Sequence, residues 1–165
     1  MSAPASHDLK VRNVHFNFDK VPKHWILGSS IATHFVNSMH VVFPEGEKFF
    51  VRSVRRFSKE VKDAHLKKEI NSFCGQEGIH AREHQRFWEV MEEQNLQPNW
   101  FANFLKKTAF SGKYSYENVS KNVLNKIQPD LGDKFALSVT TALEHYTAIL
   151  ANALFLEPMA TNKNI

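Results

Sequence analysis

Between Phe73 and His84 the chain carries Glu77, His80 and His84 at relative positions 0, 3 and 7. At about 100° per residue these three side chains fall on one face of a helix. The same face runs through Ile70 and Phe73 before them and Phe87, Trp88 and Met91 after them, so a polar trio interrupts an apolar stripe. Turning a carboxylate and two imidazoles toward a core costs free energy unless they are paired, neutralised or bound to something. Any fold that buries this stripe must therefore bring complementary groups against it. A metal ion meets the requirement, and Glu-x-x-His from one helix is a ligand pair of di-metal helical bundles.

Two more carboxylates share the pattern. Glu47 lies on the face of Phe43, Phe50, Val54 and Phe57, with His40 one heptad earlier on the same side. Glu144 lies among Leu137, Thr140, Thr141, Ala148, Ala151 and Phe155, in a stretch apolar nearly all round, which predicts a central helix. Three inward carboxylates, Glu47, Glu77 and Glu144, thus join His80 and His84 as polar groups turned toward a core, a pattern that raises the case for a metal site. The alternative is that the carboxylates pair with Arg52, Arg55, Arg56 or Arg82. His145 points about 100° from Glu144, too far round to share an ion with it. Cys74 reads as a small buried hydrophobe.

The rest of the chain predicts an all-α fold. Helical periodicity marks about 29–61, 64–94, 99–110, 116–127 and 133–156, separated by Gln97-Pro98-Asn99, Ser111-Gly112 and Pro129-Asp130-Leu131-Gly132. Pro44 falls inside the first segment, where it is expected to kink or split the helix, with a restart near Phe43 favoured. Alternation of the strand type is brief, around Val11 to Phe18. With 165 residues, 42% hydrophobic, the chain is expected to form one domain: an irregular segment over 1–28, a helical core over 29–156 and a tail over 157–165.

Composition narrows the function classes. A net charge of +4, without a clustered basic face, argues against nucleic acid as the partner. The Arg-rich run from Arg52 to Arg56 reads as a solvated helix face, since Glu60 and Asp63 follow it. One cysteine supports neither an internal disulfide nor a multi-thiolate zinc site. Met1 to His15 lacks an apolar export core, and the most apolar run, Ala142 to Leu156, is shorter than the roughly 20 residues of a membrane span. A cytoplasmic location is the expectation. Asn118-Val119-Ser120 is formally a glycosylation acceptor, read as chance without a secretion signal.

His80-Ala81-Arg82-Glu83-His84 also satisfies His-x-x-Glu-His, the inverted zinc-peptidase pattern, with Glu83 as general base and Glu144 as a distant third ligand. That scheme leaves Glu47 and Glu77 without a role and ranks second.

The run Phe43-Pro44-Glu45-Gly46-Glu47-Lys48-Phe49-Phe50, continuing to Arg56, resembles a signature of the bacterial "predicted metal-dependent hydrolase" family. So do Gly75-Gln76-Glu77 with His80, Arg82, Glu83 and His84, and the run Ala142 to Ala148; the similarity extends from about Val11 to Leu156. The resemblance implies a ferritin-like helical bundle holding a metal through Glu47, Glu77, His80 and Glu144, with His84 adjacent. It also implies a further ligand-bearing helix after Ile165, so the bundle is expected to be incomplete.

The leading expectation is a metal-dependent hydrolase acting on a small-molecule substrate. Iron or manganese is favoured over zinc because carboxylates dominate the ligands, and Glu83 or His84 would relay protons. Oxygen activation at a di-iron centre is the second expectation, and a metal-storing or purely structural helical protein the third. A bundle lacking a helix exposes an apolar face, so a homodimer or aggregation is expected.

Overall fold

The computed structural model describes residues 9–153, and five helices account for most of them: α1 (Ser30–Phe57), α2 (Ala64–Glu93), α3 (Pro98–Thr108), α4 (Tyr116–Ile127) and α5 (Leu131–Ala151). Each begins where the local chemistry favours it. The side chains of Ser29, Asp63 and Ser115 accept from the backbone N–H groups of Ala32, Leu66 and Asn118, which satisfies donors that a first turn leaves unpaired. Pro98 opens α3, where its missing N–H costs nothing. Before α5 the chain reverses through Asp130 at φ 61°. The following Gly132 packs against α4 so closely that a Cβ there would lie 2.6 Å from the Lys121 backbone.

Contacts between helices set their directions. Glu47 meets His84, and His40 meets His84 and Trp88, so α1 and α2 run antiparallel. Ser53 bonds Thr140 at 2.7 Å, and Arg56 reaches Asp130 and Asp133, so α5 also runs antiparallel to α1. The helix shared by these contacts is α1, which packs on α2, α3 and α5. The main apolar cluster lies where α1, α2 and α3 meet: Val41, Phe87, Val90, Met91 and Ala102, flanked by Phe18, Val21, Trp25, Trp88 and Leu96.

Two sequence expectations change here. First, α1 continues through Pro44 and neither splits nor restarts at Phe43. Proline removes the N–H that would bond the His40 carbonyl, but the Trp88 indole N–H donates to that carbonyl at 2.8 Å, and Pro44 is fully buried. Second, α5 is peripheral and not central. It packs on α4 and α1, and Phe135, Leu143, Tyr146 and Ile149 are exposed, because only the side facing Ser53 and the cleft below finds partners. In keeping with the all-α expectation, no strand forms among the described residues. The alternating segment lies extended against α2 and bonds to its side chains: Arg12 N–H to Gln76, Phe16 N–H to Glu83, and Arg82 and Arg86 to the Val14 and Phe16 carbonyls.

The helix bounds otherwise agree with the periodicity to within a few residues, and α4 coincides with it. Phe155, Leu156 and the tail lie outside the described residues. Among the described residues no helix is long and apolar enough to cross a membrane.

Candidate metal centre

Glu47 from α1 and Glu77 and His80 from α2 each place a ligand atom within 4.8 Å of the others. The two carboxylates are 7% and 5% exposed, so burial by the helix pair takes them out of water. His80 is more open, with Nδ1 3.7 Å from Glu77 Oε1. His84, one turn along α2, places Nε2 3.6 Å from Glu47 Oε1 and Nδ1 2.8 Å from His40 Nδ1. His40 stacks on Phe87 at 4.2 Å, which fixes the outer ring of the pair. Glu144, from α5, faces the same space from across the cleft.

The electrostatics of this group are one-sided. Burial, then the charges of Glu77 and Glu144, push the Glu47 pKa up to about 9, against a smaller pull from Lys48. Burial and then Glu144 raise Glu77 to about 7, and burial raises Glu144. The imidazoles move the other way. Burial and then His84 lower His40 to about 3, and burial and then His80 lower His84 to about 4. Burial, then Arg12, lowers His80. Carboxylates that resist ionising sit beside imidazoles that resist protonation, so the cluster lacks a positive charge of its own.

Arg52, Arg56 and Arg82 do not supply it. Arg52 pairs with Glu117, Arg56 with Glu60, Asp130 and Asp133, and Arg82 with Glu83. Glu47 Oε2 is buried with no hydrogen-bond partner. An orphaned carboxylate oxygen beside a second carboxylate and a neutral imidazole is the donor set a divalent cation takes up, and such an ion would reverse the rise in the carboxylate pKa values. The residues present therefore fit a metal.

The structure sorts the other candidates. Glu83 is only 5% exposed but faces away from the cluster. Burial pushes its pKa up, but the bonds it accepts from Phe16 N–H, Arg82 and Arg86 together outweigh this and hold it below the usual carboxylate value. The inverted zinc pattern needs this carboxylate as a free base beside the two histidines, and its partners leave it none of that freedom. Cys74 is buried and outside the group. Gln76, whose Nε2 lies 3.0 Å from His80 Nε2, is an addition; the sequence carries it in the Gly75-Gln76-Glu77 run one turn before His80, with nothing there to give it a role.

The centre forms the floor of a cleft of about 1260 Å³. Phe35, Val36, Met39, Val42 and Phe43 of α1 and Phe135, Val139 and Leu143 of α5 line its walls. The polar groups of the centre converge in a recess whose exposed lining is mainly apolar, with Arg52, Arg55, Arg56, Lys121 and Asp133 also on its surface, a form that suits a small-molecule site.

A helical protein with a carboxylate and histidine centre between its first two helices is the class that fold and site define. A family model described as predicted metal-dependent hydrolase matches residues 10–164, and the chain belongs to that family. Comparison with curated proteins and with solved structures gives no match.

Proposed function

We propose that the chain is a metal-dependent hydrolase whose ion is held by Glu47, Glu77 and His80, with Glu144 completing the ligands from across the cleft. The observation that carries this reading is the buried, unpartnered Glu47 Oε2 beside Glu77 and His80 in a mainly apolar cleft. Iron or manganese suits the site better than zinc, since carboxylates outnumber imidazoles and no thiolate takes part. When bound, the ion supplies an activated water and polarises the bond to be cleaved. The chain's own residues do the rest. The apolar walls bind the body of the substrate and exclude bulk water. His84, whose Nδ1 meets His40 and whose Nε2 faces Glu47 Oε1, is the residue placed to take up the proton released by the activated water and return it to the leaving group. Glu83 keeps the structural partners described above.

The substrate class that fits the walls is a small molecule with a large apolar body and one hydrolysable polar group. Elemental analysis of the purified chain, with Glu77→Ala and His80→Ala beside it, tests the centre. Near-stoichiometric iron or manganese lost in both variants supports the reading, and a wild type without metal overturns it.

A second reading has its own observation. Carboxylates from α1 and α5 face a Glu-x-x-His pair on α2, a ferritin-like arrangement suited to a di-iron centre that activates oxygen. Iron-loaded protein whose near-ultraviolet absorbance changes on exposure to oxygen would favour it, whereas turnover sustained by manganese without oxygen favours hydrolysis. Either way, the exposed Tyr146 and Ile149 of α5, outside the cleft, suit cover by a second copy. Light scattering should then show a dimer, and a monodisperse monomer contradicts it.

A further inference from the structure

The Gln76 amide stands between the extended N-terminal segment and the metal centre. Its Oε1 accepts from Arg12 N–H at 3.0 Å, and its Nε2 lies 3.0 Å from His80 Nε2. A backbone N–H can only donate, so Arg12 fixes which end of the amide is the oxygen. The other end is NH2, which can only donate, so His80 Nε2 must accept. An imidazole accepting at Nε2 is neutral and carries its hydrogen on Nδ1. That is the nitrogen turned toward Glu77, 3.7 Å from Oε1.

Ligation through Nδ1 needs the opposite arrangement: a lone pair on Nδ1 and the hydrogen on Nε2. The amide must then present its oxygen to His80, which turns its NH2 toward Arg12 N–H and sets two donors face to face. We propose that Gln76 is the positioning residue of His80 and couples the N-terminal segment to the metal centre, so that loading His80 through Nδ1 turns the Gln76 amide over and frees Arg12. This inference rests on the metal reading above.

The rest of the segment does not depend on this switch. Glu83, Arg82 and Arg86 hold Asn13, Val14 and Phe16 through separate bonds, so the release is confined to the stretch around Arg12. Val11 packs over Gly75, where an added Cβ would lie 3.1 Å from its Cγ2, so the seat that loading disturbs is shaped to the segment. Coupling is reciprocal: whatever frees His80 from the Gln76 donor strengthens metal binding, and a bound metal weakens the hold on Arg12. One partly exposed hydrogen bond sets its scale, about fivefold in affinity.

The test uses zinc as a diamagnetic probe, with the wild type, Gln76→Glu and Gln76→Met. In metal-free wild type, nitrogen NMR should find the His80 hydrogen on Nδ1. In Gln76→Glu it should move to Nε2, because a carboxylate accepts from both His80 and Arg12. Zinc should accelerate hydrogen exchange at the Arg12 amide in the wild type and leave it unchanged in Gln76→Glu. Gln76→Met, which adds no charge, should bind zinc about fivefold more tightly than the wild type. A metal-free wild type with its hydrogen on Nε2 overturns the positioning role. Arg12 exchange indifferent to bound zinc, or Gln76→Met binding no more tightly than the wild type, overturns the coupling. A chain that takes no zinc, iron or manganese overturns the metal reading and the coupling with it, while the NMR result still decides what Gln76 does to His80.

Discussion

Glu77 and Glu83 lie six residues apart on α2 and are equally buried, each 5% exposed, yet their surroundings are opposite. Glu83 faces the N-terminal segment, where two guanidinium groups and a backbone N–H saturate its oxygens and lower its pKa. Glu77 faces α1, where its neighbours are Glu47, Glu144 and an imidazole, and its pKa rises to about 7. A turn of 240° around the helix separates the two environments. Burial alone does not distinguish a carboxylate whose charge is satisfied from one whose charge is not; the groups around it do.

The sharpest way to break this comparison is to remove each group and ask what is lost. Glu77→Ala and His80→Ala should lower metal affinity by about a hundredfold or more while the fold survives, as metal titration with circular dichroism would show. Retention of metal in both variants would leave the α1–α2 cluster no different in kind from Glu83.

A smaller effect comes from neutralising the most strained carboxylate. The Glu47 pKa in the folded chain, about 9, lies above its ordinary value of 4.5. Its contribution to stability is therefore full below about pH 4.5 and is lost as the pH rises toward 9. By pH 7 the loss is about 3 kcal/mol, at 1.36 kcal/mol per unit. Glu47→Gln should thus bind no metal yet melt higher than the metal-free wild type at pH 7, with the gap closing near pH 4.5. His40 and His84, whose pKa values are depressed, make both proteins lose stability as the pH falls below about 6.5, so the difference between them isolates Glu47. A gap that does not change with pH would contradict this assignment.

The opposite carboxylate should behave in reverse. Glu83→Gln leaves Arg82 and Arg86 without their charged partner and should cost about 2 kcal/mol at neutral pH, with the metal retained. Because the folded pKa of Glu83 is lowered, the wild-type advantage exists above the ordinary carboxylate value and disappears as the pH drops through the folded one. Denaturant melts at pH 7 and pH 3 would check the sign.

The sequence made the first half of this contrast readable and hid the second. Glu47, Glu77 and His80 interrupt apolar stripes at helical spacing, and facing stripes must meet, so their convergence follows from periodicity. Glu83 is buried by a segment with no helical period, whose docking rests on individual hydrogen bonds, and such contacts leave no repeating pattern. The same applies to Gln76, which matters only because Arg12 lies over it. Apolar composition misplaced α5, because a nearly all-apolar helix is equally compatible with a buried centre and with a face left open at an edge.

Pro44 shows the rule of saturated partners acting on the backbone, with the smallest expected effect. The His40 carbonyl, deprived of an N–H four residues on, accepts from the Trp88 indole, and the helix continues. Trp88→Phe keeps most of the ring but orphans that carbonyl, which should cost about 1 to 2 kcal/mol. Pro44→Ala restores a backbone N–H to the same oxygen. In the wild type it should change little, since Trp88 already occupies the carbonyl; in the Trp88→Phe background it should recover about 1 kcal/mol. Equilibrium denaturation of the four proteins in this double-mutant cycle measures the coupling directly. Simple additivity would mean that the indole packs against α1 without substituting for the missing donor, and that α1 passes through Pro44 because burial of the ring against α2 and its neighbours suffices.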